Sequence, residues 1–430
     1  MLQNKKLAIN GGKKTFSARG PHYSWPQITK VEERAVLKQL YVSISIYDKS
    51  GIFEKFENSF AIYHKRKYAL LCNSGTTAIH SMFVTANFKS GDEVICPAYT
   101  FFATVTPLLF TGAKPVLCDC DTSGNIDPEE IEKKITPKTK GVVVTHMWGI
   151  PCQMDRIVEI CKKYKLLLLE DCSHAHGARY KGKLVGTFGD MAAWSLQGPK
   201  NVSGGEGGII LTNNEEFYYR ALLLGHYNKR CKQAIPSTHK FYRYATTGMG
   251  LKYRAHPLAA TLAFETFKKL EEYLSVRHQF AQKIIKELRD VAGLTPPQFD
   301  SKIQPSWYAL VFQYNSKLFK GLPIEIFFDA LQKEGLLEVD RPGSTSPLNL
   351  LPLFQNPTEL FPIYQNNLFS YAPGDFPYAE QFYKNAIKLP VWARRQDAPI
   401  VEAYIKGIKK VANNYQQLLW PIKIKTSSKK

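Results

Sequence analysis

The sequence lacks the long apolar segments of a membrane protein and the paired cysteines of a disulfide-rich or zinc-binding protein. No stretch in its 430 residues approaches the roughly 20 consecutive apolar residues of a membrane-spanning helix. Residues 1–11 contain no apolar core of signal-peptide length. The eight cysteines form no C-x-x-C pair, and several lie in apolar runs, where a reduced thiol packs as a small hydrophobe. We therefore predict a cytoplasmic protein with reduced cysteines, no metal and no membrane partner.

Acidic residues are scarce relative to basic ones. The chain has 57 Lys and Arg against 37 Asp and Glu, which gives a formal net charge of +20. Such an excess is compatible with a nucleic acid, a membrane surface or an anionic small substrate. The basic residues are spread along the chain, however, and no nucleic-acid-binding motif accompanies them. We therefore predict a basic, solvated surface and no nucleic-acid partner.

Apolar runs alternate with helical patterns between residues 67 and 212, in the order typical of βαβ units. The predicted strands are 68–71, 93–96, 115–117, 141–145, 166–170 and 208–211. The predicted helices between them are 76–85, 102–111, 128–135 and 154–164. Because the apolar runs are continuous rather than alternating, they favour a mostly parallel central sheet flanked by helices on both faces.

A second, smaller α/β unit is predicted after this region. A long amphipathic stretch from 257 to 288 predicts one connecting helix, and the interval 341–380 predicts long functional loops. The remaining predicted elements are a strand at 306–315, a helix at 323–334, a strand at 386–390 and a helix at 397–415. We therefore predict an α/β fold with a large domain at 1–275, which includes the N-terminal segment, and a small C-terminal α/β domain at 276–430. The basic end of the chain, 423–430, predicts a disordered tail.

The segment SLQGPKNVSGGEGG (195–208) holds one lysine, Lys200, just before a turn with four glycines in the five residues 204–208. Upstream, Asp171 follows the apolar run 166–170, at the carboxyl end of a predicted parallel strand. Open α/β sheets bind their ligands at this end of the strands. As an isolated residue, Asp171 fits the cap of a following helix equally well.

A third feature is the segment NSGTTA (73–78), which joins a predicted strand to a predicted helix. Free N–H groups at such a helix start can bind a phosphate, although Ser-Gly-Thr is also an ordinary helix cap. Together, a phosphate seat, a strand-end carboxylate and a lysine before a tight turn match what pyridoxal phosphate needs. This cofactor takes a lysine amine as a Schiff base and an acidic partner for its pyridinium nitrogen. We predict that Lys200 is the amine and the proton carrier, and that Asp171 is the acidic partner.

The chain resembles the sugar aminotransferases named for DegT, DnrJ, EryC1 and StrS, which are fold-type I, aspartate aminotransferase-like enzymes. The resemblance runs nearly end to end and rests on these segments: NGG (10–12), WP (25–26), NSGTTA (73–78), GDEVICPAYTF (91–101), EDCSHAHG (170–177), GTFGD (186–190), the lysine segment 195–208, FPYAE (376–380) and LP (389–390).

The resemblance implies further cofactor contacts. Gly75, Thr76 and Ser195 are expected to hold the phosphate, and Phe101 to stack on the pyridine ring, unless it is a plain core residue. His174 occupies the position where the family carries Gln or His near the ring hydroxyl, while His176 is expected to be structural.

One position departs from the family pattern. Family members often carry Gly-Tyr-Asn-Tyr-Arg, whose Asn reaches the cofactor phosphate of the neighbouring subunit, and this chain has GLKYR (250–254) with Lys252 in place of that Asn. The resemblance thus implies a homodimer with shared active sites, in which Lys252 contacts the partner's phosphate. A solvated surface lysine is the alternative.

The resemblance implies a ping-pong aminotransferase of amino sugar biosynthesis. It is expected to move an amino group from glutamate or glutamine to a nucleotide-linked keto-sugar or to a keto-cyclitol. One alternative is a pyridoxal-phosphate-dependent sugar dehydratase on the same scaffold, in which histidine replaces the lysine that this chain retains. The other is a catalytically idle regulatory or nucleic-acid-binding relative. Acceptor specificity is expected in 225–247 and in the loops of 341–380.

Overall fold

The computed structural model describes residues 5–365 and 369–419, so the predicted tail lies outside the described residues. The helices are α1 Lys30–Val42, α2 Gly51–Tyr63, α3 Gly75–Thr85, α4 Pro128–Lys133, α5 Met154–Tyr164, α6 Glu215–Gly225, α7 Lys229–Ala234, α8 Pro257–Lys268, α9 Leu270–Leu288, α10 Ile324–Lys333, α11 Pro352–Gln355, α12 Pro377–Asn385 and α13 Ala398–Asn413. The strands are β1 Tyr68–Cys72, β2 Glu93–Pro97, β3 Tyr99–Phe101, β4 Lys114–Cys118, β5 Thr139–Thr145, β6 Leu167–Asp171, β7 Arg179–Tyr180, β8 Lys183–Leu184, β9 Met191–Ser195, β10 Gly208–Thr212, β11 Leu294–Thr295, β12 Ile303–Gln304, β13 Leu310–Tyr314, β14 Thr345–Pro347 and β15 Ala386–Leu389. None of the described helices is long and apolar enough to cross a membrane.

A seven-stranded sheet in the order β1-β10-β9-β6-β5-β2-β4 forms the centre of the larger part of the molecule. The five strands from β9 to β4 pair in parallel, and β10 runs antiparallel to both of its neighbours. The strands are buried almost throughout, which explains why their sequences are continuously apolar. The predicted α/β fold with a mostly parallel sheet flanked by helices is therefore confirmed. Strand β9 is absent from the predicted set because its sequence, MAAWS, contains two alanines and no β-branched residue.

Two helix predictions are wrong. Residues 102–111 form two short 3₁₀ segments, Phe102–Thr104 and Thr106–Thr111, instead of one α-helix. Pro107 lies in the second segment and has no amide N–H for a helical hydrogen bond. The predicted single helix at 257–288 is divided at Lys269 into α8 and α9. This break lets α8 pack on the core beneath α2, while α9 packs on a separate C-terminal core.

The C-terminal core lies between a small antiparallel sheet, β11-β13-β15, and the helices α9, α10 and α13. Leu7, from the N-terminal segment, is fully buried in this core. Glu334 holds that segment in place by accepting hydrogen bonds from the backbone N–H groups of Ala8 and Thr15. The domain limits at 275 and 276 stay a prediction.

The interval 341–380 is partly ordered into short elements, where loops alone were predicted. Strand β14 pairs with β3, so that Thr345 lies opposite Phe101. This pairing carries the start of the interval to the carboxyl-terminal edge of the central sheet.

Candidate active site

A cavity of about 490 Å³ lies where β5, β6 and β9 end, next to the start of α3. Each of these three parallel strands contributes its last residue to the cavity wall: Thr145, Asp171 and Ser195. The cavity also contains every other predicted cofactor residue except Lys252, namely Gly75, Thr76, Phe101, His174 and Lys200. The sheet thus brings together residues that are far apart in the sequence.

Lys200 is held by its backbone, and its side-chain amine is left free. Its N–H donates to the carbonyl of Gln197 at 2.9 Å, and its own carbonyl accepts from Nε1 of Trp25 at 2.7 Å. The side chain is buried, and within residues 5–365 and 369–419 its Nζ has no hydrogen bond or ion pair. Nζ lies 4.4 Å from the centre of the Tyr308 ring. Burial lowers the pKa of Lys200 to about 8, while the charge of Asp171 acts in the opposite direction.

The glycine turn after Lys200 permits a close approach between two segments. A Cβ at Gly208 would lie 2.2 Å from the carbonyl oxygen of Ser74, and a Cβ at Gly204 would lie 2.5 Å from that of Ala259. Both distances exclude a side chain. The turn therefore brings the lysine segment against the start of α3.

Asp171 is buried, and each of its carboxylate oxygens accepts a hydrogen bond. Oδ2 accepts from Oγ1 of Thr104 at 2.7 Å, and Oδ1 accepts from the backbone N–H of Ser173 at 3.0 Å. Thr104 is linked in turn to the hydroxyls of Thr100 and Thr145. Residues 172–178, which follow Asp171 directly, form turns and no helix, which removes the helix-cap alternative.

The start of α3 is part of the cavity wall. Ser74 caps the helix by accepting from the N–H of Thr77 at 3.1 Å. In the described part of the chain, the N–H groups of Gly75 and Thr76 have no acceptor. A Cβ at Gly75 would lie 2.6 Å from the Cβ of Ser195, so only glycine allows this approach. The result is a seat for an anion at a helix N-terminus.

His174 lies in a stack of aromatic rings. Its imidazole is 4.1 Å from the ring of Tyr308 and 5.6 Å from that of Trp148, and both pairs are nearly parallel. Burial, followed by the charge of Lys200, holds the pKa of His174 well below its usual range, so the ring is neutral. Its Nδ1 is buried and has no hydrogen-bond partner among the described residues. His176 is also buried but is not part of the cavity wall.

The profile of the DegT/DnrJ/EryC1/StrS aminotransferase family matches residues 28–404. The chain belongs to this family. It is 33% identical over 261 residues to a GDP-perosamine synthase from Escherichia coli O157:H7, which covers 60% of this chain and 69% of that protein. A protein of Micromonospora echinospora, assigned as an L-glutamine:3-amino-2,3-dideoxy-scyllo-inosose aminotransferase, is 28% identical over 403 residues, or 91% of this chain and 90% of that protein.

A solved structure of E. coli GDP-4-keto-6-deoxy-D-mannose-3-dehydratase with bound hydrated PLP has the same fold. It is 23% identical, its TM-score is 0.76, and the match covers 91% of this chain and 99% of that one. By its family the protein is a PLP-dependent aminotransferase, and pyridoxal phosphate is its cofactor.

The residues of the cavity fit this cofactor. The unpaired N–H groups of Gly75 and Thr76 suit the phosphate, the free Nζ of Lys200 suits the aldehyde, and the carboxylate of Asp171 suits the ring nitrogen. The unpartnered Nδ1 of His174 suits a ring hydroxyl.

Sequence reasoning assigned no role to three residues that shape this site. Trp25 belongs to the WP segment (25–26), and its indole N–H fixes the carbonyl of Lys200. Thr104 lies in the segment that was wrongly predicted as a helix, although its hydroxyl spacing from Thr100 was a visible signal. Tyr308 was part of a predicted strand, and nothing in its local sequence marks a side chain that packs on both Lys200 and His174.

The lowered pKa of Lys200 predicts a distinctive titration in the cofactor-free protein. We expect labelling of Lys200 by acetic anhydride to rise with a midpoint near pH 8, whereas exposed lysines titrate at about 10.4. Peptide mass spectrometry over a pH series measures this. In Asp171→Asn the midpoint should move lower, because the opposing charge is removed. A Lys200 midpoint close to that of exposed lysines would contradict the prediction.

Proposed function

We propose that this protein transfers the amino group of glutamate or glutamine to the ketone of a sugar, and that a nucleotide-linked keto-sugar is its acceptor. The observation that carries the proposal is a buried lysine amine, free of hydrogen bonds among the described residues, in one cavity with a hydrogen-bonded carboxylate. The names of the two relatives, a perosamine synthase and a glutamine-dependent cyclitol aminotransferase, support the donor and the acceptor class.

When bound, pyridoxal phosphate supplies an aldehyde that takes up the donor amine and a ring that draws electrons from the donor Cα. Nζ of Lys200 would accept the proton of that Cα and pass it to C4′ of the cofactor, a role for which a pKa of about 8 is well suited. Asp171, fixed by Thr104 and Ser173, keeps a proton on the pyridine nitrogen. Gly75, Thr76 and Ser195 bind the phosphate.

Lys200 also separates this proposal from the two alternatives. The dehydratase alternative calls for histidine at this position, and the chain retains lysine. The similarity to the solved dehydratase, at 23% identity, concerns the fold. A buried amine without an ion pair among the described residues lowers the stability of the fold, because desolvation of the amine costs free energy. A catalytically idle protein has no function that would offset this cost.

An acceptor screen tests the proposed function. The holoenzyme is incubated with glutamate or glutamine and a panel of nucleotide-linked keto-sugars, free keto-sugars and keto-cyclitols. Mass spectrometry then detects the amine product together with the 2-oxo acid. We expect the amine of a nucleotide-linked sugar. Products from the keto-cyclitols alone would overturn the acceptor, and a deoxygenated sugar without nitrogen would favour the dehydratase.

We further infer a homodimer with shared sites. Lys252 lies outside the cavity of its own Lys200, in a separate pocket of about 490 Å³ with Tyr47, Tyr227, Lys229 and Arg254. This Lys252 pocket is basic and includes part of the predicted specificity segment 225–247. Just before Tyr47 the end of α1 and the residues after it expose large apolar side chains: Leu40 47%, Tyr41 86%, Val42 68% and Ile44 55%. Such a patch indicates an interface, and a second copy that covers it would bring Lys252 towards the partner's phosphate.

Shared sites predict that two inactive variants rescue each other. Lys200→Ala and Lys252→Ala are each expected to be weak alone. In a hybrid dimer, one site carries both lesions and the other carries neither. After unfolding and refolding in equal amounts, random pairing should restore about one quarter of the wild-type sites. If each subunit supplied its own Lys252, every site in the hybrid would keep one lesion and mixing would restore no activity.

A further inference from the structure

A second cavity, of about 380 Å³, shares a wall residue, Tyr308, with the cavity of Lys200. Pro199, the neighbour of Lys200 in the chain, also contributes to its wall. Most of the other wall residues come from the C-terminal part of the chain and include Asp340 and Lys388. A substrate that meets Lys200 can therefore extend along Tyr308 towards these two charged side chains.

Strand β15 directs Lys388 towards this cavity. Ile387 and Leu389 are buried in the C-terminal core, and because side chains alternate along a strand, Lys388 points to the other face. Its Nζ lies 2.7 Å from Oδ2 of Asp340. The side chain of Lys388 is 27% exposed and that of Asp340 is 59% exposed, so the pair is open to exchange with a soluble anion.

The charges of the two cavities favour Lys388 as the site for an incoming carboxylate. Among the described residues that line them, Lys200 and Lys388 are the only lysines or arginines, and the imidazole of His174 is neutral. Lys200 is committed to the cofactor. The charge of Lys388 also reaches the first cavity, because it contributes to the lowered pKa of His174. Glu338, in the wall of the second cavity, already accepts hydrogen bonds from the backbone of the N-terminal segment.

We propose that Lys388 binds a carboxylate of the amino donor, and that Asp340 pairs with Lys388 until the donor carboxylate replaces it. The inference rests on the proposed function, since the donor is glutamate or glutamine. Lys388 is thus a specificity-determining residue for the donor half of the reaction.

Opposite effects of two substitutions test this assignment. Lys388→Ala should raise the KM for glutamate in the donor half-reaction on the order of 10- to 100-fold, as expected for the loss of a charged hydrogen bond. Asp340→Asn should lower that KM, because the competing charge is removed while its Oδ1 still accepts from the N–H of Arg341. The acceptor half-reaction should keep its KM in both variants. Both half-reactions are followed by the absorbance of the bound cofactor.

Lys409→Ala is the matched control. Lys409 is also 27% exposed and pairs with Glu287 at 2.6 Å, on the outside of α13, so its loss should leave the donor KM unchanged. If wild-type protein fails to react with either donor, the proposed function fails before any variant is compared. If wild-type protein reacts and Lys388→Ala keeps the wild-type donor KM, or loses affinity for the acceptor instead, the assignment of Lys388 is overturned.

Glutamine identifies which carboxylate is bound. If Lys388→Ala raises the KM equally for glutamate and glutamine, Lys388 binds the α-carboxylate, which both donors carry. If it raises the KM for glutamate alone, Lys388 binds the side-chain carboxylate. Should Lys388→Ala fail to fold, Asp340→Asn decides: an unchanged or raised donor KM in that variant overturns the proposal.

Discussion

Replacing Lys200 with alanine is expected to lower turnover on the order of 10⁴-fold or more with every donor, because the residue acts both as the attachment point and as the proton carrier. The fold should persist, since alanine retains the backbone bonds to Gln197 and Trp25. Single-turnover kinetics with glutamate measure the loss, and circular dichroism checks the fold.

Lys200→Arg separates charge from chemistry. Arginine keeps a cation near Tyr308, but its guanidinium stays protonated, so it offers neither a nucleophile nor a base. We expect this variant to be as inactive as Lys200→Ala. A turnover within tenfold of wild type in either variant would exclude Lys200 as the reacting amine.

Asp171→Asn is expected to slow both half-reactions on the order of 10²- to 10³-fold while leaving the fold and much of the cofactor binding intact. The amide can still accept from Thr104 or Ser173, but it cannot stabilise a protonated ring nitrogen. Stopped-flow measurement of each half-reaction gives the rates, and the absorbance of the bound cofactor gives the occupancy.

Asp190→Asn is a useful control at the start of β9. Asp190 accepts from the backbone N–H of Leu168 at 2.9 Å and is not part of the cavity wall, and asparagine can make the same bond. This variant should react at nearly the wild-type rate. If Asp171→Asn carried out the glutamate half-reaction at nearly the wild-type rate, Asp171 would be only a structural hydrogen-bond acceptor.

The main strands could be predicted because burial on both faces leaves a continuous apolar run. Strand β9 could not be predicted because its alanines have a low β-strand propensity, yet the end of this strand places Ser195 in the cavity. The break at Lys269 could not be read from the sequence either, since both helices share one amphipathic pattern and differ only in the core on which they pack.

The site residues likewise fall into those that local sequence predicts and those that only tertiary packing brings to the site. Lys200, Asp171 and the start of α3 lie next to strand ends and a glycine turn, so their local sequence carries the signal. Tyr308 and Lys388 meet the cavities only through the packing of the C-terminal part against the sheet, which no local pattern records. The cytoplasmic location and the absence of a nucleic-acid partner stay predictions, and the net charge of +20 remains without a structural assignment.

The most direct test of transamination at Lys200 follows nitrogen through the protein. The holoenzyme is incubated with ¹⁵N-glutamate in the absence of acceptor, desalted, and then given a nucleotide-linked keto-sugar. The ping-pong account predicts that about one ¹⁵N per chain stays with the protein and then appears in an amino sugar, and that Lys200→Ala retains none. Protein that holds no label after desalting, or a sugar that loses oxygen without gaining ¹⁵N, would contradict it.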